Sequence, residues 1–208
     1  MPRPKTIDRT AILQAALDIA DTGGVPALSM QAVATRLAVT PMALYRHVAN
    51  KADLLDGIVE LLMAEIMADA PAPDPDGGRD AWLDALIRTA GRARAVASRH
   101  PAAFTLLLSR PAATTAAREV RAHIHGLLRQ AGVGGEHVER LERIVTTTVL
   151  GMAAGQASDR FAHHAPGVLD EDVRALARFV TAGIEPFRSS EERVSPAGVS
   201  RAGRRASR

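Results

Sequence analysis

Apolar positions along this chain recur at three- and four-residue spacing, and that spacing predicts helices from end to end. In residues 6–22, Ile12, Leu13, Ala16, Leu17, Ile19 and Ala20 form one face, and Gly23-Gly24 ends the segment. Ser29 is placed to cap a short helix over 30–37, with Val33 and Leu37 inward and Ala38-Val39 as the turn. Thr40-Pro41 predicts the start of a second short helix, 41–47. Threonine can cap it, and proline suits its first position because the missing N–H would be unpaired there. Leu44 and Val48 lie four apart and face inward together, which leaves Met42, Ala43, Tyr45, Arg46 and His47 largely on the other faces. Asn50 caps a long helix over 51–69, whose apolar face is Leu54, Leu55, Ile58, Leu61, Leu62 and Ile66.

PAPDPDGG at 71–78 breaks all periodicity and reads as a linker. Further helices are predicted over 79–99, 101–109, 112–131, 136–161 and 170–186, punctuated by Pro101, Pro111, the glycine-rich turn at 132–135 and Ala165-Pro166-Gly167. No internal repeat and no bounded period-two run stands out. The expected organisation is therefore all-α. A head over 1–50 leads through the connecting helix 51–69 to a helical body over 70–188, with a disordered basic tail over 189–208.

Composition sharpens this reading. The chain has 208 residues, 47% apolar and only 3% aromatic, which favours helices over sheets. It has no cysteine, so disulfides and thiolate metal sites are excluded. The N-terminus lacks the apolar core of a signal peptide, and no run approaches the roughly 18 apolar residues of a membrane span. A cytoplasmic protein with no membrane partner is expected. The net charge of +3 is mild, but Arg3, Lys5 and Arg9 sit at one end and Arg188, Arg193, Arg201, Arg204, Arg205 and Arg208 crowd the other. Basic ends suit a polyanionic partner, and a solvated tail is the competing reading of the C-terminal run.

A very short helix with a polar, aromatic and basic outer face is a poor strut and a suitable reader. Two short helices joined by a tight turn, with a third behind them, match a helix-turn-helix, in which the second helix enters the DNA major groove. Tyr45 and His47 can donate to phosphates, Arg46 can bond a guanine edge or a phosphate, and Met42 and Ala43 can meet thymine methyls. Lys51, beside the free N–H groups of the next helix, can pair with a phosphate. Thr40 belongs to the same surface, and Ser29 and Gln31 have two open roles, helix start or phosphate contact. No Ser-His-Asp set, H-E-x-x-H or phosphate-loop pattern occurs, so no enzyme activity is expected. His123 and His125 are two apart and point to different faces of a helix, and His163-His164 follow near a turn. No metal and no cofactor are expected.

The stretch ILQAALDIADTGGVPALSMQAVATRLAVTPMALYRHVANKADLLDGI carries a more specific signal. Its glycine after helix one, small polar start of helix two, LA-V between helices and LYRHVANK-LL signature resemble the DNA-binding domain of the tetracycline-repressor (TetR) family over residues 6–66. AWLDALIRTAGRARAVASRHPAAFTLLLSRP is similar, more loosely, to the subgroup that contains the tetracycline repressors themselves. The resemblance implies a homodimeric repressor of a near-palindromic operator on double-stranded DNA. It places the dimer interface on 136–161 and 170–186 and implies a small apolar or amphipathic organic effector. The implied pocket lining is Met63, Met67, Trp82, Leu86, Phe104, Leu107, Leu108, His123, Leu127, Thr148 and Met152. The tetracycline-binding members ligate metal through a histidine just before an Arg-Pro pair. Leu106 stands there here, ahead of Arg110-Pro111, and a second ligand-binding histidine of those members falls at Met67. Magnesium-tetracycline is thus not the expected ligand. Two alternatives stay open: a regulator of the same fold without an effector, and a filled core in place of the cavity.

Overall fold

The computed structural model describes residues 7–68, 70, 81–111, 114–158 and 168–188. The elements in order are α1 (Arg9–Gly23), α2 (Met30–Leu37), α3 (Pro41–Leu44), α4 (Lys51–Met67), α5 (Ala81–Arg99), α6 (Pro101–Phe104), α7 (Leu106–Ser109), α8 (Thr115–Gln130), α9 (Gly135–Ala157) and α10 (Val168–Ile184). Short 3-10 turns lie at Val25–Ala27 and Glu185–Phe187. Among the described residues no strand forms. An isolated backbone bridge joins Val133 to Arg188. The linker over 71–78, the basic arm at Arg3 and Lys5, His163-His164 and the tail over 189–208 lie outside the described residues.

Local chemistry accounts for the helix boundaries. Asp8, Ser29, Asn50 and Thr114 each accept a hydrogen bond from a backbone N–H in the first turn of the helix that follows. Thr40 does not: it holds the cap position of α3, yet its side chain makes no capping bond. α2 ends in a left-handed residue, Ala38 at φ 56°, which lets the Val39 N–H return to the Ala34 carbonyl at 3.0 Å. That sharp turn aims α3 away from α2.

Two predicted helices are shorter or broken. The segment expected over 41–47 is regular only to Leu44. The N–H groups of His47 and Val48 both converge on the Leu44 carbonyl, at 2.8 and 3.0 Å, and the chain tightens into a turn. The segment expected over 101–109 splits at Thr105, whose hydroxyl bonds the Ala102 carbonyl at 2.8 Å and competes with helix continuation.

The core falls into two clusters. One runs from α1, α2 and α3 through α4 to the end of α5 and to α6 and α7, with Ile12, Leu28, Leu44, Val48, Ile58, Leu62 and Phe104 fully buried. The other lies within α5, α8, α9 and α10 around Trp82, Leu127, Leu128 and Ile184. Val120 and Val149 are the partly buried residues that pack against both.

The first cluster seats α1 on α4 through a close approach at Gly57. A Cβ there would lie 2.2 Å from Leu13 Cδ2 and 3.1 Å from its Cγ, and Leu13 is itself buried. Gly57→Val is expected to cost about 1–3 kcal/mol through overpacking, measured as a lowered urea midpoint. An unchanged midpoint would mean that Leu13 can swing aside.

Candidate functional site

The reading surface is built on a polar clamp at the start of α4. The Asn50 side chain accepts from the Asp53 N–H at 3.0 Å, and Asp53 Oδ2 accepts from the Ala49 N–H at 2.8 Å, so the two residues cap α4 reciprocally. Arg9, in the first turn of α1, donates to Asp53 Oδ1 at 2.8 Å and to the His47 carbonyl at 3.0 Å. One guanidinium therefore pins the end of the reading helix to both α1 and α4. The Arg9 bond holds the Asp53 carboxyl below its ordinary value of 3.8, against the opposing effect of burial. A depressed carboxylate pKa gives stability that is present above 3.8 and is lost as pH falls through the folded value. A tie of this kind holds at neutral pH. Sequence reasoning placed Arg9 in a basic arm, and this anchoring role was missed. The signal available was an arginine at the helix start paired with an acidic first turn 44 residues on.

Around this clamp the outward side chains stand clear. Leu44 and Val48 are buried, as their spacing predicts, and Met42, Tyr45, Arg46, His47 and Lys51 are exposed. Met42 is 73% and Tyr45 50% accessible, large values for residues of their type. Among the described residues the side chains of Tyr45, Arg46, His47 and Lys51 make no hydrogen bond or ion pair. Arg36, by contrast, is tied to Asp18 at 2.8 Å. Ala43 is half-buried, and Ser29, Gln31 and Thr40 are exposed at the two helix starts. Ser29 carries a structural bond as well, its hydroxyl accepting from the Ala32 N–H at 3.0 Å.

At its other end α4 is fastened to the body. Arg92 on α5 donates to the carbonyls of Ile66 and Glu65 at 2.7 and 2.9 Å, covering the open end of the helix. Arg99 pairs with Glu65, and Arg110 holds Asp56 at 2.7 Å. His100, at the start of α6, bonds Asp21 of α1 at 2.7 Å and faces Glu65 at 3.5 Å.

Between these fastenings lies an apolar cavity of about 50 Å³. α4 supplies Met63 and Ile66, α5 Leu86, Thr89, Ala90 and Ala93, and α7 Leu107. α8 supplies Val120 and Ile124, and α9 Val145, Thr146, Val149 and Leu150. The cavity occupies the seam between the two core clusters.

Its walls differ from the expected set. Met63, Leu86 and Leu107 line it, but Trp82, Phe104 and Leu127 are packed solid within the clusters. Leu108 is 48% exposed, because the break at Thr105 turns α7 so that Leu107, not Leu108, faces inward. Thr148 is half-buried with its hydroxyl on the Ile144 carbonyl, and Met67 is half-buried in the last turn of α4. Met152 lines a separate small groove beside Gln156 and Val173. His123 is buried and bonded at 3.1 Å to Thr89, which itself lines the cavity. Half of the lining residues that sequence reasoning missed are alanines and valines, Ala90, Ala93, Val120, Val145 and Val149. Leu106 is buried, and among the described residues no group of three acidic or histidine side chains could hold a metal ion.

A helix-turn-helix whose exposed aromatic and basic residues have no partner among the described residues, fastened through one long helix to a body with an apolar cavity, is the architecture of a DNA-binding transcription regulator. The family model for bacterial regulatory proteins of the tetR family matches residues 12–58. The chain is similar to the HTH-type transcriptional repressor DrrR1 of Streptomyces coeruleorubidus, 30% identical over 195 residues, covering 91% of this chain and 70% of that protein. It is also similar to the class A tetracycline repressor protein from transposon 1721 in Escherichia coli, 30% identical over 184 residues, covering 85% of this chain and 79% of that one. Its fold matches the crystal structure of the TetR family protein ActR of Streptomyces coelicolor in complex with actinorhodin. The TM-score is 0.72 at 21% identity, over 90% of this chain and 99% of that one. The chain belongs to the TetR family of bacterial transcriptional regulators.

Among the described residues no helix is long and apolar enough to cross a membrane.

Proposed function

We propose that this protein is a homodimeric repressor that holds a near-palindromic operator and releases it when a small organic ligand enters the cavity. The observation that carries the reading is the exposed Tyr45, Arg46, His47 and Lys51 surface, rigidly mounted by the Arg9 clamp and engaged by nothing else among the described residues. Groups so placed serve a partner rather than the fold, and their chemistry is that of phosphate and base-edge contacts in the cytoplasm. The ligand complex of ActR supports an effector by analogy.

A dimer is supported by the outer faces of α9 and α10. Ile144 is 53% and Phe179 73% exposed, while Gly151 and Gly183, one or two turns further on the same faces, have open space where a Cβ would stand. Large apolar side chains beside small ones are what close helix packing across a two-fold axis uses. Selection of bound DNA from a random pool, together with sedimentation of the free protein, tests the proposal. A monomer that selects no two-fold sequence would refute it.

Release follows from the position of α4. Met63 and Ile66 line the cavity, and the far end of the same helix carries Lys51 and the Arg9 clamp. At about 50 Å³ the cavity is far below the roughly 300–1,000 Å³ of a small-molecule site. A ligand must therefore part the walls, and the protein with α4 displaced is the state that ligand favours. Leu107→Trp, which fills the cavity, should abolish release by any ligand.

Tyr45→Ala and Lys51→Ala should each weaken operator binding and leave stability within about 0.5 kcal/mol, as for surface positions. Lys51→Ala should lower the salt slope of binding by about one per phosphate contact in each half-site, whereas Tyr45→Ala removes no charge and should leave the slope unchanged. A strong drop in melting temperature with intact affinity would instead place Tyr45 in the core. Arg46→Ala should relax selectivity at one position per half-site, by about 1–3 kcal/mol for a bidentate guanine contact. Uniform weakening on all sequences would make it a phosphate contact.

A further inference from the structure

We propose that the cavity takes a hydrocarbon: the part of the effector it encloses is an aromatic or alkyl skeleton bearing no hydroxyl, amine, carbonyl or charge. The proposal rests on the reading of the cavity as the effector site, and narrows its ligand to one without polar handles.

Among the described residues the walls expose no polar surface to the cavity. Every lining residue lies in a helix, where backbone N–H and C=O groups run along the axis rather than into the space. Two lining residues carry a hydroxyl, Thr89 and Thr146, and neither hydroxyl reaches the surface. Each is bonded to a residue four places back in its own helix. Thr89 donates to the Ala85 carbonyl at 2.9 Å, with His123 Nε2 also at 3.1 Å, and Thr146 donates to Glu142 at 3.2 Å. What the two threonines give the wall is carbon. Turning either oxygen into the space requires a rotation about χ1, which breaks the bond that holds it.

The space itself is dry. At about 50 Å³ it exceeds the roughly 10–15 Å³ that admits one water, but a water needs polar partners and these walls supply none. A ligand entering here gains apolar contact and nothing else. Any polar atom it carries gives up hydrogen bonds to water and receives none, and a charge meets no counter-charge. Shape is the property the walls can adapt to. Met63 is unbranched and repacks readily, and Ala90 and Ala93 are short.

Three probes of one ring system test this: 2-methylnaphthalene, 2-naphthol, in which a hydroxyl replaces the methyl, and 2-naphthoate. Each is equilibrated by dialysis against the full-length protein. 2-Methylnaphthalene should bind at least about 10-fold more tightly than 2-naphthol, whose hydroxyl loses its water partners. 2-Naphthoate should be weaker than 2-naphthol by at least about 10-fold again. Leu107→Trp, or Ala90→Leu where that variant folds poorly, should weaken 2-methylnaphthalene binding by at least about 10-fold by filling the space. Thr89→Val and Thr146→Val should leave the affinity for 2-naphthol within about 3-fold, since neither hydroxyl meets the ligand. 2-Naphthol or 2-naphthoate binding as tightly as 2-methylnaphthalene overturns the proposal. A selective loss of 2-naphthol in either valine variant does so too, as does 2-methylnaphthalene binding that survives both filled-cavity variants or is absent up to its solubility limit. Operator release is measured separately with the same probes. Preferential binding of 2-methylnaphthalene without release supports the ligand class and refutes the effector reading. Release by 2-naphthoate alone upholds the effector reading and refutes the ligand class.

Discussion

Phe104→Ala is expected to lower the free energy of unfolding by about 3–5 kcal/mol, the range for truncating a large buried aromatic. Phe104 is fully buried on α6, which packs against α1, α4, α5 and α9. It belongs to the cluster that joins the reading helices to the body. Domains of this kind are stable by only about 5–15 kcal/mol, so a loss of this size leaves little margin. Urea unfolding followed by fluorescence of Trp82 is the measurement, and the choice of probe adds information. Trp82 is the sole tryptophan and sits in the other cluster. A full shift of its transition shows that the two clusters unfold as one. A far-ultraviolet transition that shifts while the Trp82 transition stays put shows that the head and the body part company first. A loss below about 1 kcal/mol by both probes would contradict the packing around α6.

The second large effect concerns assembly. The double variant Ile144→Glu, Phe179→Glu should sediment as a monomer and lose operator affinity by roughly 1,000-fold or more, the usual span between specific and non-specific binding. Across a two-fold axis each substituted residue meets its own face on the other copy, so new carboxylates bring like charges into an apolar contact. Both positions are exposed in the single chain, so the helical signal should be unchanged. A variant that stays dimeric places the interface on another face.

The reading head was legible in the sequence because its signals are local. Pro41, Asn50 and the spacing of Leu44 and Val48 act within a turn or two of one another, and neighbouring residues decide which faces are exposed. The Arg9 clamp was not legible, since it joins residues 44 apart that only the folded helices bring together. The cavity wall was hidden for a different reason. Periodicity shows which face of α5 or α9 is apolar, but not which apolar residues meet a gap. Large side chains such as Trp82, Phe104 and Leu127 attract attention as candidate walls, yet their size fills the space, and they end as solid core. Gaps persist where side chains are short, at Ala90 and Ala93.

The seam between the two clusters has an evolutionary consequence. Among the described residues, Val120 and Val149 are the partly buried ones that pack against both clusters, and each of them lines the cavity. Exchanging Ala90 or Ala93 for a larger residue, or trimming Val120 or Val149, reshapes the chamber without touching a contact of Tyr45, Arg46 or Lys51. If the cavity holds the effector proposed above, descendants of such a chain can drift toward new chemical signals while keeping the same DNA-facing surface. On the proposed reading of the cavity and of the α3 surface, recognition of a molecule and recognition of a gene would then be independently heritable traits.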